Sequence, residues 1–241
     1  MTEDEFLAEY NPDDYQRPST AVDSAIFTVH QGELLVLLIK RAEHPCLGQW
    51  SLVGGYVDIG QDSSLEATAL RKLRDKTSFA SPYLEQVMSI GGPDRDARGW
   101  TISTIYYALI PHSTFDLRAK HGASEAALIP VQEALDLPLA FDHAAVLQQC
   151  LERLRSKTLY TTLPVYLMEQ DFTLSELQGV YESILGHSIQ QKSFRRRMEA
   201  SGVIQETGAL RQTGRRPAAL YRKLPDLAPH YFVRNLESIS V

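Results

Sequence analysis

The sequence has few cysteines and no long apolar segment. Its 241 residues include only Cys46 and Cys150, too few for a disulfide framework or a cysteine-rich metal cluster. The longest aliphatic run, Leu34 to Ile39, stops at Lys40 and is far shorter than a membrane-spanning helix requires. The first fifteen residues contain six acids and no Lys or Arg, unlike a secretory or transit leader. We therefore expect a cytoplasmic protein with free thiols and no membrane association.

Basic residues are unevenly distributed along this acidic chain. The net charge is -6 overall, -8 over residues 1–157 and +2 over residues 158–241. Residues 158–191 contain four acids and no Lys or Arg, whereas residues 192–223 contain nine bases and two acids. A dense basic strip in an acidic chain predicts a localised contact with a polyanion. For any single arginine, a solvated surface position is the alternative interpretation.

The pattern of apolar residues indicates two unequal domains, which we expect over residues 1–156 and 157–241. In the first domain the pattern predicts strands and helices in mixed order. We expect strands at 21–29, 34–39, 50–53, 84–90 and 100–110, a turn at Gly54-Gly55, a helix over 65–77 capped by Ser63 or Ser64, and an amphipathic helix at 141–156. This order predicts a sandwich of sheet and helices.

The second domain has a different pattern. Helical spacing is present near residues 158–168, 174–185 and 192–200, and two short strands are expected at 203–206 and 219–222. Three short helices followed by a hairpin are typical of a winged helix-turn-helix, whose last helix enters the DNA major groove.

A glycine-rich segment followed by a charged helix resembles the Nudix box. The family pattern is Gly-x5-Glu-x7-Arg-Glu-u-x-Glu-Glu-x-Gly-u, where u is aliphatic or aromatic. Carboxylates on one face of its helix hold a divalent metal against a diphosphate and help to activate the attacking water. Gly55, Arg71, Leu73 and Phe79 match the pattern, and Asp75 replaces one Glu conservatively.

The remaining positions depart from the Nudix pattern. Lys72 and Lys76 occupy the positions of two Glu residues, and Ser78 replaces the Gly. The loop Glu is absent whether Gln61 or Ser63 is aligned with it. Hard cations bind several anionic oxygens, so one carboxylate between two ammonium groups is a poor magnesium site. We therefore expect no catalytic residue and no bound metal.

The lysines of this helix are a candidate phosphate site. Lys72 and Lys76 can supply the positive charge that a metal supplies in the hydrolases, with Asp75 beside them. The alternative is a solvated helix face in which Arg71 pairs with Asp75. Because the Gly-Gly segment lies near this helix in the sequence, we favour the interpretation as a ligand site.

A loop at residues 92–99 offers two further arginines. It is similar to the Arg-Asp-x-Arg segment of Nudix proteins that recognise ADP-ribose-like ligands, and it presents Arg95 or Arg98 to a phosphate or ribose, although loop charges often face only water. Arg41, Trp50 and Tyr56 are weaker candidates for the pocket wall. The expected ligand-binding residues are Arg41, Gly54, Gly55, Tyr56, Lys72, Asp75, Lys76, Arg95 and Arg98.

The helix near residues 192–200 has the composition of a recognition helix. Phe194 and Met198 are spaced to face the core, which turns the basic side chains toward other surfaces. Arginine binds guanine edges, glutamine binds adenine, and lysine or serine binds phosphate. The expected DNA-binding residues are Gln191, Lys192, Ser193, Arg195, Arg196 and Arg197 on the helix, and Arg211, Thr213, Arg215 and Arg216 in the wing. A winged module used for protein contacts is the alternative.

The combination of a degenerate Nudix domain with a C-terminal winged helix resembles the NrtR family, the Nudix-related transcriptional regulators of NAD metabolism. The strings at residues 194–196 and 214–222 are similar to that family's helix and wing. The resemblance implies an α+β chain: a Nudix-type α/β/α sandwich followed by a winged helix-turn-helix. It also implies a homodimer on a palindromic operator, with ADP-ribose or a related NAD-derived nucleotide as the effector that releases the DNA. No other cofactor is expected.

Two other functions remain open on sequence alone. The first is an active ADP-ribose pyrophosphatase with an appended DNA-binding domain, against which the number of carboxylates argues. The second is an interaction protein that binds no small ligand.

Overall fold

The computed structural model describes residues 1–77, 83–115, 123–212, 217–225 and 228–233. Its helices are α1 (Glu3–Glu9), α2 (Leu65–Thr77), α3 (Val131–Asp136), α4 (His143–Tyr160), α5 (Leu174–Leu185) and α6 (Gln191–Ala200). Its strands are β1 (Ser19–His30), β2 (Glu33–Arg41), β3 (Trp50–Ser51), β4 (Val53–Tyr56), β5 (Tyr83–Gly92), β6 (Thr101–Leu109), β7 (Ala123–Pro130), β8 (Ile204–Gln212) and β9 (Pro217–Lys223). Within these ranges, no helix combines the length and the apolar character that crossing a bilayer requires.

The first seven strands form one mixed sheet with β1 at its centre. The order of the hydrogen-bonded strands is β3-β2-β1-β6-β5, with β4 added to β1 and β7 added to β2. Strand β1 runs parallel to β6 and antiparallel to β2 and β4. It pairs with β4 through its first half and with β2 through its second half, so the sheet divides along β1 and leaves a cleft beside β4.

Helices cover both faces of this sheet. On one face, α2 buries Ala69 and Leu73 against the sheet. On the other face, α4 buries Leu147 and Cys150 in a larger core that includes Tyr107. Both cysteines are free thiols, and burial raises the pKa of the Cys150 thiol to about 12.

A second core holds the C-terminal domain together. Phe172, Tyr181, Phe194 and Met198 are buried in it between α5, α6 and the β8–β9 hairpin. The ring of Tyr181 meets that of Phe194 edge to face, with centroids 5.0 Å apart. The Tyr181 hydroxyl donates to the carbonyl of Thr161, just beyond the end of α4, at 2.9 Å. This contact joins the second core to the helix that leaves the first.

Most of the expected elements are confirmed. The hairpin of β1 and β2 is present, α5 has the expected bounds, α6 begins one residue early, and β8 and β9 form the wing. Helix α2 begins after Ser64, whose hydroxyl accepts the Ala67 N–H at 3.0 Å.

Three expectations about local structure are wrong. Gly54 and Gly55 lie inside β4 and pair with β1, because the neighbouring strand supplies hydrogen bonds that a turn would lack. The helix expected at 158–168 is instead the end of α4 followed by a short 3-10 helix, Leu163–Leu167, because Pro164 begins a new helical segment. Strand β7 was not expected, because its alanine-rich sequence favours a helix in isolation and only pairing with β2 makes it a strand.

A half-buried ionic cluster joins α4 to β5. The Glu85 carboxylate on β5 accepts hydrogen bonds from the Tyr83 hydroxyl, from the Tyr107 hydroxyl at 2.9 Å and from the Lys157 ammonium of α4 at 2.7 Å. Burial by itself raises the pKa of Glu85, but these hydrogen bonds, led by that of Lys157, outweigh it and the pKa is lowered.

We expect Lys157→Met to destabilise the fold at neutral pH. The substitution removes the ammonium closest to Glu85 and leaves Arg153, whose Nη1 lies 3.7 Å from this half-buried carboxylate, so we expect a loss of about 1–3 kcal/mol. A carboxyl group whose pKa is lower in the folded protein than in the unfolded chain, where it is near 4.3, stabilises the fold at any pH above that unfolded-state pKa. This stabilisation is lost as the pH falls through the pKa of the folded state. The difference in the free energy of unfolding between wild type and Lys157→Met should therefore shrink on acidification. Urea unfolding at neutral and acidic pH measures it, and a difference that does not depend on pH would contradict this role for Glu85.

Candidate functional site

A cleft opens beside β4, where the sheet divides. It contains about 760 Å³ of empty space, which includes the open solvent at its mouth. Strands β1, β4 and β6 form its floor, and the loop at 93–99 and the start of α4 form its walls. Its lining residues are Ala21, Asp23, Ile39, Arg41, Ser51, Leu52, Gly54, Gly55, Tyr56, Arg95, Asp96, Arg98, Thr101, Ser103, Phe141 and His143.

The two glycines of β4 are required by close packing against charged side chains. A Cβ on Gly54 would lie 2.1 Å from Asp23 Oδ1 and 2.6 Å from the backbone carbonyl oxygen of Val22. A Cβ on Gly55 would lie 2.9 Å from Lys72 Cε, and the φ of +150° at Gly55 also favours glycine. The glycines thus leave room for one carboxylate and one ammonium group.

One wall of the cleft is built around Asp96. Its carboxylate accepts two hydrogen bonds from the Arg98 guanidinium, from Nε at 3.0 Å and from a terminal nitrogen at 2.7 Å. These bonds lower the pKa of Asp96 to about 2. The Tyr56 hydroxyl also donates to Asp96, at 3.2 Å, and the Arg98 guanidinium lies 4.9 Å from the centre of the Tyr56 ring. The wall therefore combines an aromatic face with a cation held in a fixed position.

The other two arginines of the cleft are also anchored. Arg95 donates to Asp142 through two hydrogen bonds of 2.6 and 2.8 Å. Arg41 donates to the carbonyl of Pro45 at 2.7 Å and lies over the Phe141 ring, 4.9 Å from its centre. Because these side chains are already ordered, they lose little entropy when they bind an anion.

Helix α2 presents few carboxylates to the cleft. Arg71 donates to Asp62 through hydrogen bonds of 2.6 and 2.5 Å and lies 3.6 Å from Asp75. The Arg71 hydrogen bonds hold the pKa of Asp62 well below its usual range. Burial, followed by the nearby Arg71, lowers the pKa of Lys72. Among the described side chains, no three His, Cys, Asp or Glu are grouped as a metal site.

The structure brings together residues that the sequence placed in three separate motifs. Six of the expected ligand residues line the cleft: Arg41, Gly54, Gly55, Tyr56, Arg95 and Arg98. Lys72 and Asp75 lie outside its lining, although Lys72 touches Gly55 from behind, and the Lys76 side chain lies outside the described part of the chain. Trp50 is also outside the lining, beneath Lys40.

Sequence reasoning missed four lining side chains with chemical potential, Asp23, Asp96, Phe141 and His143. Asp23 had a recognisable signal, because it is an acid in the middle of an otherwise apolar strand. Asp96 lay within the loop already singled out for its arginines. Phe141 and His143 gave no signal, since they approach the cleft only through the packing of α4.

Helix α6 presents its basic side chains on the side opposite its buried face. Phe194 and Met198 are buried, whereas Arg195 and Arg196 are exposed. Gln190 caps the helix by accepting the Ser193 N–H at 2.6 Å. The other predicted contacts on this helix are Gln191 and Lys192, which are exposed, and Ser193 and Arg197, which are half-buried. The exposed side chains on this helix are available to contact base edges in a major groove.

Two of these helix arginines and one wing arginine have partners within the chain. Arg195 pairs with Glu199 at 3.0 Å, and the Arg197 guanidinium lies 6.0 Å from the Phe232 ring centre. Arg211 donates to the Glu176 carboxylate at 2.8 Å, and it donates also to the carbonyl of Asp171. The other predicted wing contacts, Thr213, Arg215 and Arg216, lie outside the described residues.

Both halves of the chain match known families. Residues 18–150 match the Nudix domain, and residues 164–223 match the NrtR DNA-binding winged helix domain. The ADPR responsive transcriptional repressor NtrR of Acinetobacter baylyi is 49% identical over 221 residues, which are 92% of this chain and 88% of that protein. The expected order, a Nudix sandwich followed by a winged helix, is thereby confirmed.

Two solved structures are similar in fold and sequence. Shewanella oneidensis NrtR complexed with a 27mer DNA superposes with a TM-score of 0.83 at 43% identity, covering 90% of this chain and 99% of that chain. The Nudix domain of the same protein, complexed with ADP ribose, superposes with a TM-score of 0.61 at 42% identity. That match covers 64% of this chain and 99% of that domain.

We expect Gly54→Ala to destabilise the chain by about 1–3 kcal/mol, because the added methyl group meets both Asp23 and the Val22 carbonyl and forces the strands apart. Thermal unfolding measures this change. Gly179→Ala is the control, since its Cβ meets nothing within 4 Å on α5 and alanine favours a helix. Equal stability of Gly54→Ala and the wild type would show that β4 does not pack as described.

Proposed function

The chain belongs to the NrtR family of Nudix-related regulators, and from that premise we propose that it is a transcriptional repressor released from DNA by ADP-ribose. Its targets are operators of genes for NAD synthesis or salvage. One observation carries the proposal: a cleft with three anchored arginines is linked to a helix with exposed basic side chains through α4, which packs on α5, and α5, which packs on α6.

The charges of the cleft support binding of a nucleotide diphosphate without its hydrolysis. Arg41, Arg95 and Arg98 supply cationic groups, and Tyr56 and Phe141 supply aromatic faces for a base. On α2, Lys72 follows Arg71 at a position where the hydrolases have a glutamate. The helix therefore has a cationic side chain at a position that helps to hold magnesium in the hydrolases. We therefore assign no catalytic residue and no metal to this chain.

The exposed side chains of α6 support binding of its N-terminal half in a major groove. Gln191, Lys192, Arg195 and Arg196 share the exposed surface of the helix. The wing residues Thr213, Arg215 and Arg216, with Arg211, are assigned to flanking phosphates or the adjacent minor groove. For Arg211 this assignment requires its bond to Glu176 to open.

Helix α4 connects the cleft to α5, which in turn packs on α6. It begins at His143 in the wall of the cleft, and its 18 residues extend about 27 Å. Near its far end, the Arg155 guanidinium donates to the carbonyl of Ile184 on α5 at 3.0 Å, and Thr161 accepts from Tyr181. We propose that a ligand in the cleft shifts the population toward an orientation of α4 in which α6 no longer fits its half-site.

The proposed assembly is a homodimer on a palindromic operator. A single recognition helix reads one half-site, and a two-fold dimer places the second helix one helical turn or a small multiple away. We assign residues 1–156 to ligand binding and residues 157–241 to DNA binding and assembly on DNA, with α4 crossing this boundary. A regulator of this kind acts where the DNA is, and we place it in the cytoplasm.

We expect ADP-ribose to weaken operator binding and to remain intact. In a gel-shift titration, the full chain is mixed with labelled fragments of its own genome, magnesium and increasing ADP-ribose, and is scored for retained DNA and for released AMP. Retained DNA should fall with ADP-ribose and not with AMP, with no AMP produced. Unchanged retention at saturating ADP-ribose would contradict the coupling, and release of AMP would identify an active pyrophosphatase.

We expect Arg196→Ala to weaken DNA binding by about 1–3 kcal/mol and to leave ADP-ribose affinity unchanged, because its side chain is exposed on α6 and is not part of the cleft lining. Arg74→Ala, which removes an exposed charge from α2 in the Nudix domain, is the matched control and should retain DNA affinity. Fluorescence anisotropy with DNA and calorimetry with ADP-ribose separate the two affinities. Equal losses of both affinities would mean that the sites are wrongly assigned.

A further inference from the structure

An acid and a histidine face each other at the floor of the cleft. Asp23 on β1 is 7% exposed and His143 on α4 is 5% exposed, and both line the cleft. The Asp23 carboxylate accepts no hydrogen bond from the described residues, and His143 Nε2 lies 3.7 Å from its Oδ1. A buried carboxylate is costly without hydrogen-bond donors, so this one is suited to donors brought by a ligand.

The proton of His143 has a defined position. The Leu52 N–H donates to His143 Nδ1 at 3.0 Å, so that nitrogen carries no proton. Burial lowers the pKa of His143, which keeps the ring neutral at pH 7. A neutral ring with an unprotonated Nδ1 carries its hydrogen on Nε2, the atom nearest Asp23. The floor of the cleft therefore presents an anionic acceptor beside a neutral donor.

This pair suits the sugar of a nucleotide better than its other parts. A phosphate is repelled by the carboxylate, and the arginines of the walls attract it elsewhere. The Phe141 ring, an aromatic surface for a purine, lies 5.4 Å from the His143 ring between centroids, so a base stacked on Phe141 would place its own ribose next to the pair. The cleft lining also includes small and hydroxyl side chains: Ala21, Ser51, Gly54 and Ser103. Vicinal hydroxyls match an acceptor and a donor side by side, since one donates to the carboxylate and the other accepts from Nε2–H. Carboxylates read ribose hydroxyls in this manner in dinucleotide sites.

We propose that Asp23 and His143 recognise the vicinal hydroxyls of a ribose in the bound nucleotide. This inference rests on the proposed function, because it takes the ligand of the cleft to be ADP-ribose. Asp23 is the hydrogen-bond acceptor, and His143 donates through Nε2. The close approach of β1 to Gly54 positions the carboxylate for this contact.

The test compares ligands that differ only in their hydroxyls. Calorimetry on the full wild-type chain uses ADP-ribose, two analogues in which one or the other ribose lacks both vicinal hydroxyls, and an analogue with hypoxanthine in place of adenine. One deoxy analogue should bind about 10- to 100-fold more weakly than ADP-ribose, the range expected for hydrogen bonds to a charged group. Which analogue weakens identifies the ribose. Equal affinity for both deoxy analogues and ADP-ribose would overturn the proposal, and this arm needs no protein variant.

Asp23→Asn provides the second arm, because the amide keeps the shape of the carboxylate and removes its charge. The variant should bind ADP-ribose about 10- to 100-fold more weakly and lose little more when the same hydroxyls are removed. Asp136→Asn on the exposed face of α3 is the control and should bind as the wild type does. An equal loss of affinity for every ligand, or a loss of affinity that is absent only for the hypoxanthine analogue, would overturn the assignment to ribose.

The same titrations separate this inference from the proposed function. Wild-type protein that binds ADP-ribose without dependence on either diol overturns the inference alone. Wild-type protein that does not bind ADP-ribose overturns the proposed function and the inference with it.

Discussion

The cleft depends on the packing of two charged side chains against two glycines. Strand β4 approaches β1 closely enough that any side chain at Gly54 would collide with Asp23, and Lys72 occupies the space that a side chain at Gly55 would take. This approach forms the floor of the cleft and places one acid in front of the strand and one base behind it. The glycines are therefore needed for packing, and the Nudix pattern that they belong to persists here with Lys72 and Lys76 at two of the positions that carry acids in hydrolases.

Internal ion pairs explain how the cleft keeps its cations in place. Each arginine from the 93–99 loop is held by an aspartate, Arg98 by Asp96 and Arg95 by Asp142. Arg71 is held by Asp62, which leaves it oriented beneath β4. An ordered cationic wall attracts a diphosphate at low entropic cost, whereas bond cleavage would need a cluster of acids to hold a metal. Binding and hydrolysis thus have different charge requirements.

The sequence predicted local elements well and long-range ones less well. Helix α5 was predicted at both ends because its apolar spacing is a local signal, and the structure adds a capping box between Thr173 and Glu176 at its start. Strand β7 and the strand character of Gly54-Gly55 depend on pairing with distant partners, which periodicity does not report.

The site shows the same division between local and long-range information. Arg95, Arg98 and Tyr56 follow from motifs, whereas His143 reaches the cleft only because α4 packs across the sheet. Asp62, the partner of Arg71, lies between Gln61 and Ser63, the two residues that the motif spacing indicated. An inserted residue on each side of it hides the acid from a fixed pattern.

The proposed repression mechanism requires ADP-ribose and DNA to weaken each other's binding through α4. The most direct test is the Kd for ADP-ribose, measured by calorimetry on the full chain with and without saturating operator DNA. Linkage requires DNA to raise this Kd by the same factor by which saturating ADP-ribose raises the Kd for DNA, and we predict a rise of about 5- to 150-fold. An ADP-ribose Kd that is the same with and without DNA would contradict the account.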